Sequence, residues 1–110
     1  MLSDEFEVVA AVENGQDAVN AVCRLLPDVL VLDMTMPVLN GLEVARHLTN
    51  AGSTTKITMP TFCEDTACVS AAFAAGVRGY VFKHMILADL IPAIRAVVEG
   101  QTFTSSAVRL

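Results

Sequence analysis

Three side chains in this sequence are of types that do chemistry together: the carboxylate of Asp33, the hydroxyl of Thr61 and the ammonium of Lys83. Asp33 ends the apolar run VLVL, residues 29 to 32. A carboxylate buried there without partners costs several kcal/mol or neutralises itself by shifting its pKa. Asp33 is therefore expected at the rim of the core, with a cation or hydrogen-bond donors beside it. Thr61 and Lys83, 28 and 50 residues further on, supply a hydroxyl donor and a positive charge on a flexible stem. Taken singly, each has an ordinary reading: Asp33 as a turn residue, Lys83 as a solvated charge. Their meaning depends on whether the fold brings them together.

The elements that must position them follow from the hydrophobic pattern. FEVVAAV (residues 6–12) is rich in Val and bounded by the Asn14-Gly15 turn signal, which predicts a strand. From Asp17 to Leu26, Ala18, Val19, Val22, Cys23 and Leu26 recur at helical spacing until Pro27 stops them. DVLVLD (28–33) does not alternate, as suits a parallel strand covered on both faces. A helix over 41–50 turns Leu42, Val44, Ala45 and Leu48 inward. The strand KITMPT (56–61), an Ala-rich helix over 66–75 closed by Gly76, and the strand GYVF (79–82) come next.

A last helix over 89–99 carries Leu90, Ile91, Ile94, Val97 and Val98 on one side, with Pro92 expected in its first turn, where proline costs little. The remaining QTFTSSAVRL reads as a polar, loose tail, so that residues 1–103 form one domain and 104–110 a tail or the start of a linker. Strand alternating with helix predicts an α/β fold with a doubly wound, flavodoxin-like parallel sheet. In such sheets ligands bind beyond the carboxyl ends of the strands, which is where Asp33, Thr61 and Lys83 fall.

Composition narrows the function. A net charge of −5 with seven scattered Lys and Arg argues against nucleic acid as a direct partner. Hydrophobic content is high at 54%, yet no apolar run has the length of a membrane span and the first residues, MLSDEFE, lack a basic region, so a cytoplasmic location is expected. Cys23, Cys63 and Cys68 are odd in number and show no C-x-x-C spacing, which weighs against a disulfide framework or a zinc site and for small buried hydrophobes. His47 is expected on an exposed helix face and His84 in a loop, neither with partners at metal-ligand spacing.

The stretches VLVLDMTMPVLNGLE, PTF and GYVFKHMILADLIPAIRAVVEG resemble the receiver domain of two-component response regulators, most closely of the NarL/LuxR type. The resemblance covers nearly all of residues 6–103. It implies that Asp33 is a phosphoacceptor forming an acyl phosphate, chemistry open to carboxylate nucleophiles. It implies also that Thr61 donates to a phosphoryl oxygen, that Lys83 pairs with the phosphoryl group or with Asp33 at rest, and that Tyr80 is a switch aromatic following the Thr. A sensor histidine kinase is then the phosphodonor, a homodimer a further partner, and the last helix with the strand before it the output face. The protein is a signalling domain rather than an enzyme. In the family a Mg²⁺ ion is held by the phosphoacceptor, by the carbonyl two residues on, here Thr35, and by two adjacent acidic residues ending a first strand.

This chain departs from that pattern at its start. Only 32 residues precede Asp33, and Asp4 and Glu5 cannot be carried over as the acidic pair. A truncated receiver lacking its first, interior strand is expected, with Mg²⁺ binding weak or absent and phosphorylation slow, because phosphoryl transfer relies on charge neutralisation. Pro60 adds an expected defect, since proline is rare in central strands, and it is expected to disturb the Thr61 hydroxyl. Two other readings stay open: a degenerate receiver that binds partners without phosphorylation, and a flavodoxin-like small-molecule binder. The absence of a G-x-G-x-x-G or P-loop motif weakens the latter.

Overall fold

Strands and helices alternate as the hydrophobic pattern requires in the structure, a computed structural model that describes residues 14–33 and 40–105. In chain order they are α1 (Gly15–Leu25), β1 (Val29–Val31), α2 (Gly41–Asn50), β2 (Lys56–Thr61), α3 (Thr66–Ala74), β3 (Gly79–Phe82), a 3₁₀ turn (Lys83–Met85), α4 (Ile86–Val98) and β4 (Phe103–Thr104). The segment FEVVAAV, the acids Asp4 and Glu5, Thr35 and Pro37 lie outside the described residues.

Each helix start has a local cause. Asn14, rather than marking a free turn, caps α1 by accepting the backbone N–H of Asp17. Asn40 forms a reciprocal capping box with Glu43 at the start of α2, an arrangement whose loss typically costs about 1 kcal/mol. Leu26 ends α1 in the left-handed region with its side chain 76% exposed, and Cys23 is exposed as well. The inward stripe of α1 is thus Ala18, Val19, Ala21 and Val22, not the expected set that included Cys23 and Leu26.

The four strands form one parallel sheet in the order β1-β2-β3-β4. β3 is buried along its whole length, and β2 from its second residue onward. One face, with Ile57, Met59, Tyr80 and Phe82, joins α1 and α2 residues such as Ala18, Val22, Val44 and Leu48 in a continuous core. Ala93, Ile94 and Val97 of α4 are buried as well, and Val97 closes over Gly79 and Thr58 on the other face. Each fully buried Val or Leu in these layers contributes roughly 1.5–3 kcal/mol. β1 departs from the doubly covered expectation: none of its three residues is fully buried, and Val31 is 41% exposed.

Two expectations for the C-terminal part are corrected. α4 begins at Ile86, ahead of the predicted 89, so Pro92 is its seventh residue and lies in the helix interior. Its missing N–H and ring cost about 3 kcal/mol there, a penalty offset by packing of the opposite, buried stripe. The stretch after Gly100 is not a loose tail as far as Ser105, because Phe103–Thr104 pairs with Gly79–Tyr80 as β4. Ser105 is buried, its hydroxyl donating to Asp89 Oδ2 at 2.7 Å and accepting from the Phe82 N–H at 3.1 Å. A two-residue strand is too short to show any periodicity, which is why the sequence pattern does not reveal it.

Candidate functional site

Because the strands are parallel, their carboxyl ends open on one edge of the sheet. Asp33 lies two residues beyond β1, Thr61 is the last residue of β2, and Lys83 follows β3 directly. β2 lies between the other two strands, so Thr61 stands between Asp33 and Lys83 in sheet order. Lys83 Nζ donates to Asp33 Oδ2 at 2.6 Å, with the two side chains 22% and 38% exposed. The cation demanded by a carboxylate at the end of an apolar strand is thus supplied from 50 residues away. At this exposure such a pair adds at most about 1 kcal/mol to stability, so its significance lies in position rather than in holding the fold together.

The Thr61 hydroxyl is buried and intact in its strand despite Pro60, and its Oγ1 accepts the Cys63 N–H at 3.1 Å. Tyr80, fully buried, donates its hydroxyl to the Cys63 carbonyl at 2.6 Å and sets its ring edge-on to Phe82 at 6.2 Å. Burial pushes the Tyr80 phenol above its ordinary pKa of 10.0; the hydrogen bond with Thr61 works against that rise and the charge of Asp65 adds to it. Thr61 and Tyr80 are therefore tied to one backbone unit, the loop that leaves β2.

That loop carries the contacts that sequence reasoning missed. The Phe62 ring, 76% exposed, lies under Lys83 Nζ at 4.8 Å, a cation–π contact worth about 0.5–1 kcal/mol at an exposed site. Glu64 Oε2 meets His84 Nδ1 at 2.6 Å, and the His84 ring stacks on Phe82 at 5.9 Å, so His84 has specific partners rather than being a bare loop residue. Exposed Phe62 beside the Thr was the visible signal; the Glu64–His84 pair, 20 residues apart, had none. His47 is exposed on α2, as expected.

The cysteine expectation is overturned in the same place. Cys63 and Cys68 are joined in a disulfide, with Cα atoms 6.4 Å apart, and Cys23 is free. Spacing alone argued against a bond, but Glu64 and Asp65 lead directly into α3, whose first turn brings the Cys68 Cα within 6.4 Å of that of Cys63.

The described residues offer few ligands to a divalent cation. Among them no three His, Cys, Asp or Glu side chains converge, and the Asp33 carboxylate is engaged by Lys83. Mg²⁺ requires near-octahedral oxygen coordination, which Asp33 by itself does not provide. The described residues do not fit that ion on their own, and Thr35 lies outside them. A separate recess lined by Leu26, Pro27, Thr54, Lys56 and Val98 lies at the opposite, N-terminal end of β1 and β2, away from Asp33.

Comparison with known proteins agrees with this geometry. Residues 1–95 match the family model described as the response regulator receiver domain. The chain is 39% identical over 100 residues to the transcriptional regulatory protein DesR of Bacillus subtilis, covering 91% of this chain and 49% of that protein. It is 33% identical over 99 residues to LnrK of the same organism, covering 90% and 45% respectively. A crystal structure of a LuxR-family two-component response regulator from Aurantimonas superimposes with a TM-score of 0.84 at 32% identity, over 89% of this chain and 70% of that one. The chain spans about half the length of the curated relatives it matches. A flavodoxin-like sheet, a charge pair at its carboxyl edge and matches of this extent lead to one conclusion: this chain belongs to the receiver-domain family of two-component response regulators.

Proposed function

We propose that Asp33 is the phosphoacceptor of this receiver and that Lys83 and Thr61 are the side chains that hold the transferred group. The observation that carries the proposal is the Lys83–Asp33 contact at 2.6 Å on the carboxyl edge of the sheet, with Thr61 between them in strand order. An Asp33 carboxylate oxygen attacks phosphorus, the bond from phosphorus to the donor nitrogen breaks, and its electron pair leaves with the donor, giving an acyl phosphate. Lys83 then exchanges its carboxylate partner for a phosphoryl oxygen, and the Thr61 hydroxyl donates to another. Tyr80, joined to the same loop through the Cys63 carbonyl, follows Thr61.

The donor is a phosphohistidine of a sensor histidine kinase, or a small phosphodonor. Receiver domains are signalling proteins and generally not enzymes, and the family generally binds Mg²⁺ at its acidic site. In this chain the ion is bound weakly, since no three His, Cys, Asp or Glu side chains converge among the described residues, and transfer is correspondingly slow. The receiver unit extends through Ser105, two residues beyond the boundary the composition suggested. It controls a transcriptional output domain, pairs with a second copy through α4, contacts no nucleic acid itself, and works in the cytoplasm. No described helix is long and apolar enough to cross a membrane.

Incubation with a small phosphodonor, with and without Mg²⁺, followed by phosphate-affinity electrophoresis tests this. Slow labelling that is lost in Asp33→Asn is expected. Fast, strongly Mg²⁺-dependent labelling would overturn the weak-metal reading. No labelling under any condition, in a chain that still binds its partner, would replace phosphorylation with a receiver acting as an interaction module.

A further inference from the structure

We propose that the Cys63–Cys68 disulfide is a site of reversible thiol–disulfide exchange, and that its state sets the conformation of the loop holding Thr61, Tyr80 and Lys83. The claim that this state alters phosphorylation rests on Asp33 being the phosphoacceptor; the claim about the loop does not.

The loop between β2 and α3 is four residues, Phe62 to Asp65, and each of its first three residues touches the site from a different side. Phe62 lies under the Lys83 ammonium. Cys63 holds Thr61 through its N–H and Tyr80 through its carbonyl. Glu64 pairs with His84, the residue after Lys83. The disulfide fastens this loop to the third residue of α3, Cys68. Little else described fastens it there: Asp65, the residue before α3, makes no side-chain cap. The covalent link thus takes the place of a cap and fixes Cys63, the residue on which both Thr61 and Tyr80 depend.

Both cysteines are neither buried nor fully exposed, so a thiolate can reach the bond. In a compartment rich in thiols, disulfides are usually transient and redox-sensing rather than structural. A donor thiolate attacks one Sγ, the Cys63–Cys68 bond breaks, and its electron pair goes to the departing sulfur, which takes up a proton. A second donor thiolate resolves the mixed disulfide. Two electrons and two protons pass to the cysteines, and the dithiol or pair of thiols leaves oxidised. Without the bond the Cys63 backbone is held only by its hydrogen bonds, and the Thr61 hydroxyl and the Tyr80 ring lose a fixed partner.

The chain contains one tyrosine and no tryptophan, so its tyrosine fluorescence and its tyrosinate absorbance come from Tyr80 alone. The experiment compares the oxidised chain, the same chain reduced with a small dithiol, and the Cys63→Ser and Cys68→Ser variants, all in a Cys23→Ser background. Thiol titration of the oxidised chain should find no free cysteine. Reduction should change the tyrosine fluorescence and bring the tyrosinate titration midpoint down towards 10.0, its ordinary value. Both serine variants should resemble the reduced chain and ignore dithiol, and phosphoramidate labelling of Asp33 should fall several-fold in all three. Two free thiols in the oxidised preparation, or a tyrosine signal unaffected by reduction, would overturn the proposal. Equal labelling in both redox states would overturn its link to phosphorylation. If the tyrosine responds while Asp33 takes no phosphate in either state, the loop switch stands and the phosphoacceptor reading fails.

Discussion

Replacing Thr58 with valine should stabilise this domain. Thr58 is fully buried in β2, and its Oγ1 has no hydrogen-bond partner among the described residues. It points at the space left by the absent side chain of Gly79: a Cβ built there would stand 2.8 Å from Thr58 Oγ1 and 3.2 Å from Val97 Cγ1. The hydroxyl therefore gave up its water hydrogen bonds on folding and gained only apolar neighbours. Such a loss costs about 1–3 kcal/mol. Valine keeps the branched shape and the strand preference, and puts a methyl where the hydroxyl was. The methyl is larger than the oxygen it replaces, and some of the gain is lost in fitting it between Gly79 and Val97. A net gain of about 1 kcal/mol remains, equivalent to roughly 4–8 °C in melting temperature for a domain near this size. Urea unfolding at neutral pH should show a higher midpoint with an unchanged slope. Thr58→Ser, which keeps the unpaired hydroxyl and removes the methyl, should move the midpoint the other way. A lower midpoint for Thr58→Val would refute the reasoning and mean that the hydroxyl is satisfied or that the methyl does not fit.

Further outcomes follow from the site and its supports. Lys83→Met should leave stability within about 1 kcal/mol, because the ion pair is partly exposed. It should slow phosphodonor labelling of Asp33 by about tenfold or more, since a charge-assisted hydrogen bond of roughly 1.5–3 kcal/mol is lost from the reacting group; chemical denaturation and phosphate-affinity gels measure the two. Tyr80→Phe should cost about 1 kcal/mol at neutral pH by leaving the Cys63 carbonyl unpaired. The folded phenol holds its proton more tightly than the unfolded one, so its contribution is complete below pH 10.0 and lost as pH rises through the folded value. The native chain should therefore show an alkaline fall in urea midpoint that Tyr80→Phe lacks. Gly76→Ala should destabilise by about 2–3 kcal/mol, because φ is +104° there and the new Cβ would run into Thr49 Oγ1, breaking its 3.0 Å hydrogen bond to the Ala75 carbonyl; thermal melting would report it.

The parts of the fold legible in the sequence were those whose cause is local. The stripe Val44, Ala45 and Leu48 sets the face of α2, Gly76 ends α3, and the stretches KITMPT and GYVF read as strands. The charge pair was legible for another reason: a carboxylate at the end of an apolar strand has to find a cation, and the strand-end position of Lys83 made it the candidate. What was not legible depends on contacts between distant segments. Ser105 is polar and follows a polar stretch, and only the fold reveals that Asp89 and the Phe82 N–H wait for it inside. Cys63 and Cys68 have an uninformative spacing until the turn into α3 is known. Pro92 was misplaced because the 3₁₀ turn at Lys83–Met85 starts the helical path early, on residues without helical periodicity.

Pro60 was the most misleading residue, and the reason lies in ladder geometry. In a parallel strand, alternate residues turn both backbone groups to the same neighbour. The Ile57 carbonyl accepts from Arg78 on the β3 side, and the Thr58 carbonyl accepts from Leu32 on the β1 side. Pro60 shares the parity of Thr58, so its missing N–H falls on the β1 side, beyond the Val31–Thr58 pair where described pairing with β1 ends. The β2–β3 ladder is untouched and carries register through Pro60–Val81 to Thr61–Phe82. Proline in this central strand removes a rung only at the mouth of the site, just before Asp33, while Thr61 stays anchored to β3. A substitution that restores an N–H at this position, Pro60→Val, should thus add at most one net hydrogen bond, about 1 kcal/mol, and lengthen β1 towards Asp33. If drawing Asp33 into the ladder costs it the Lys83 contact, stability should rise while phosphodonor labelling falls. A Pro60→Val chain that is less stable and labels unchanged would mean that the proline does not act through the β1 edge.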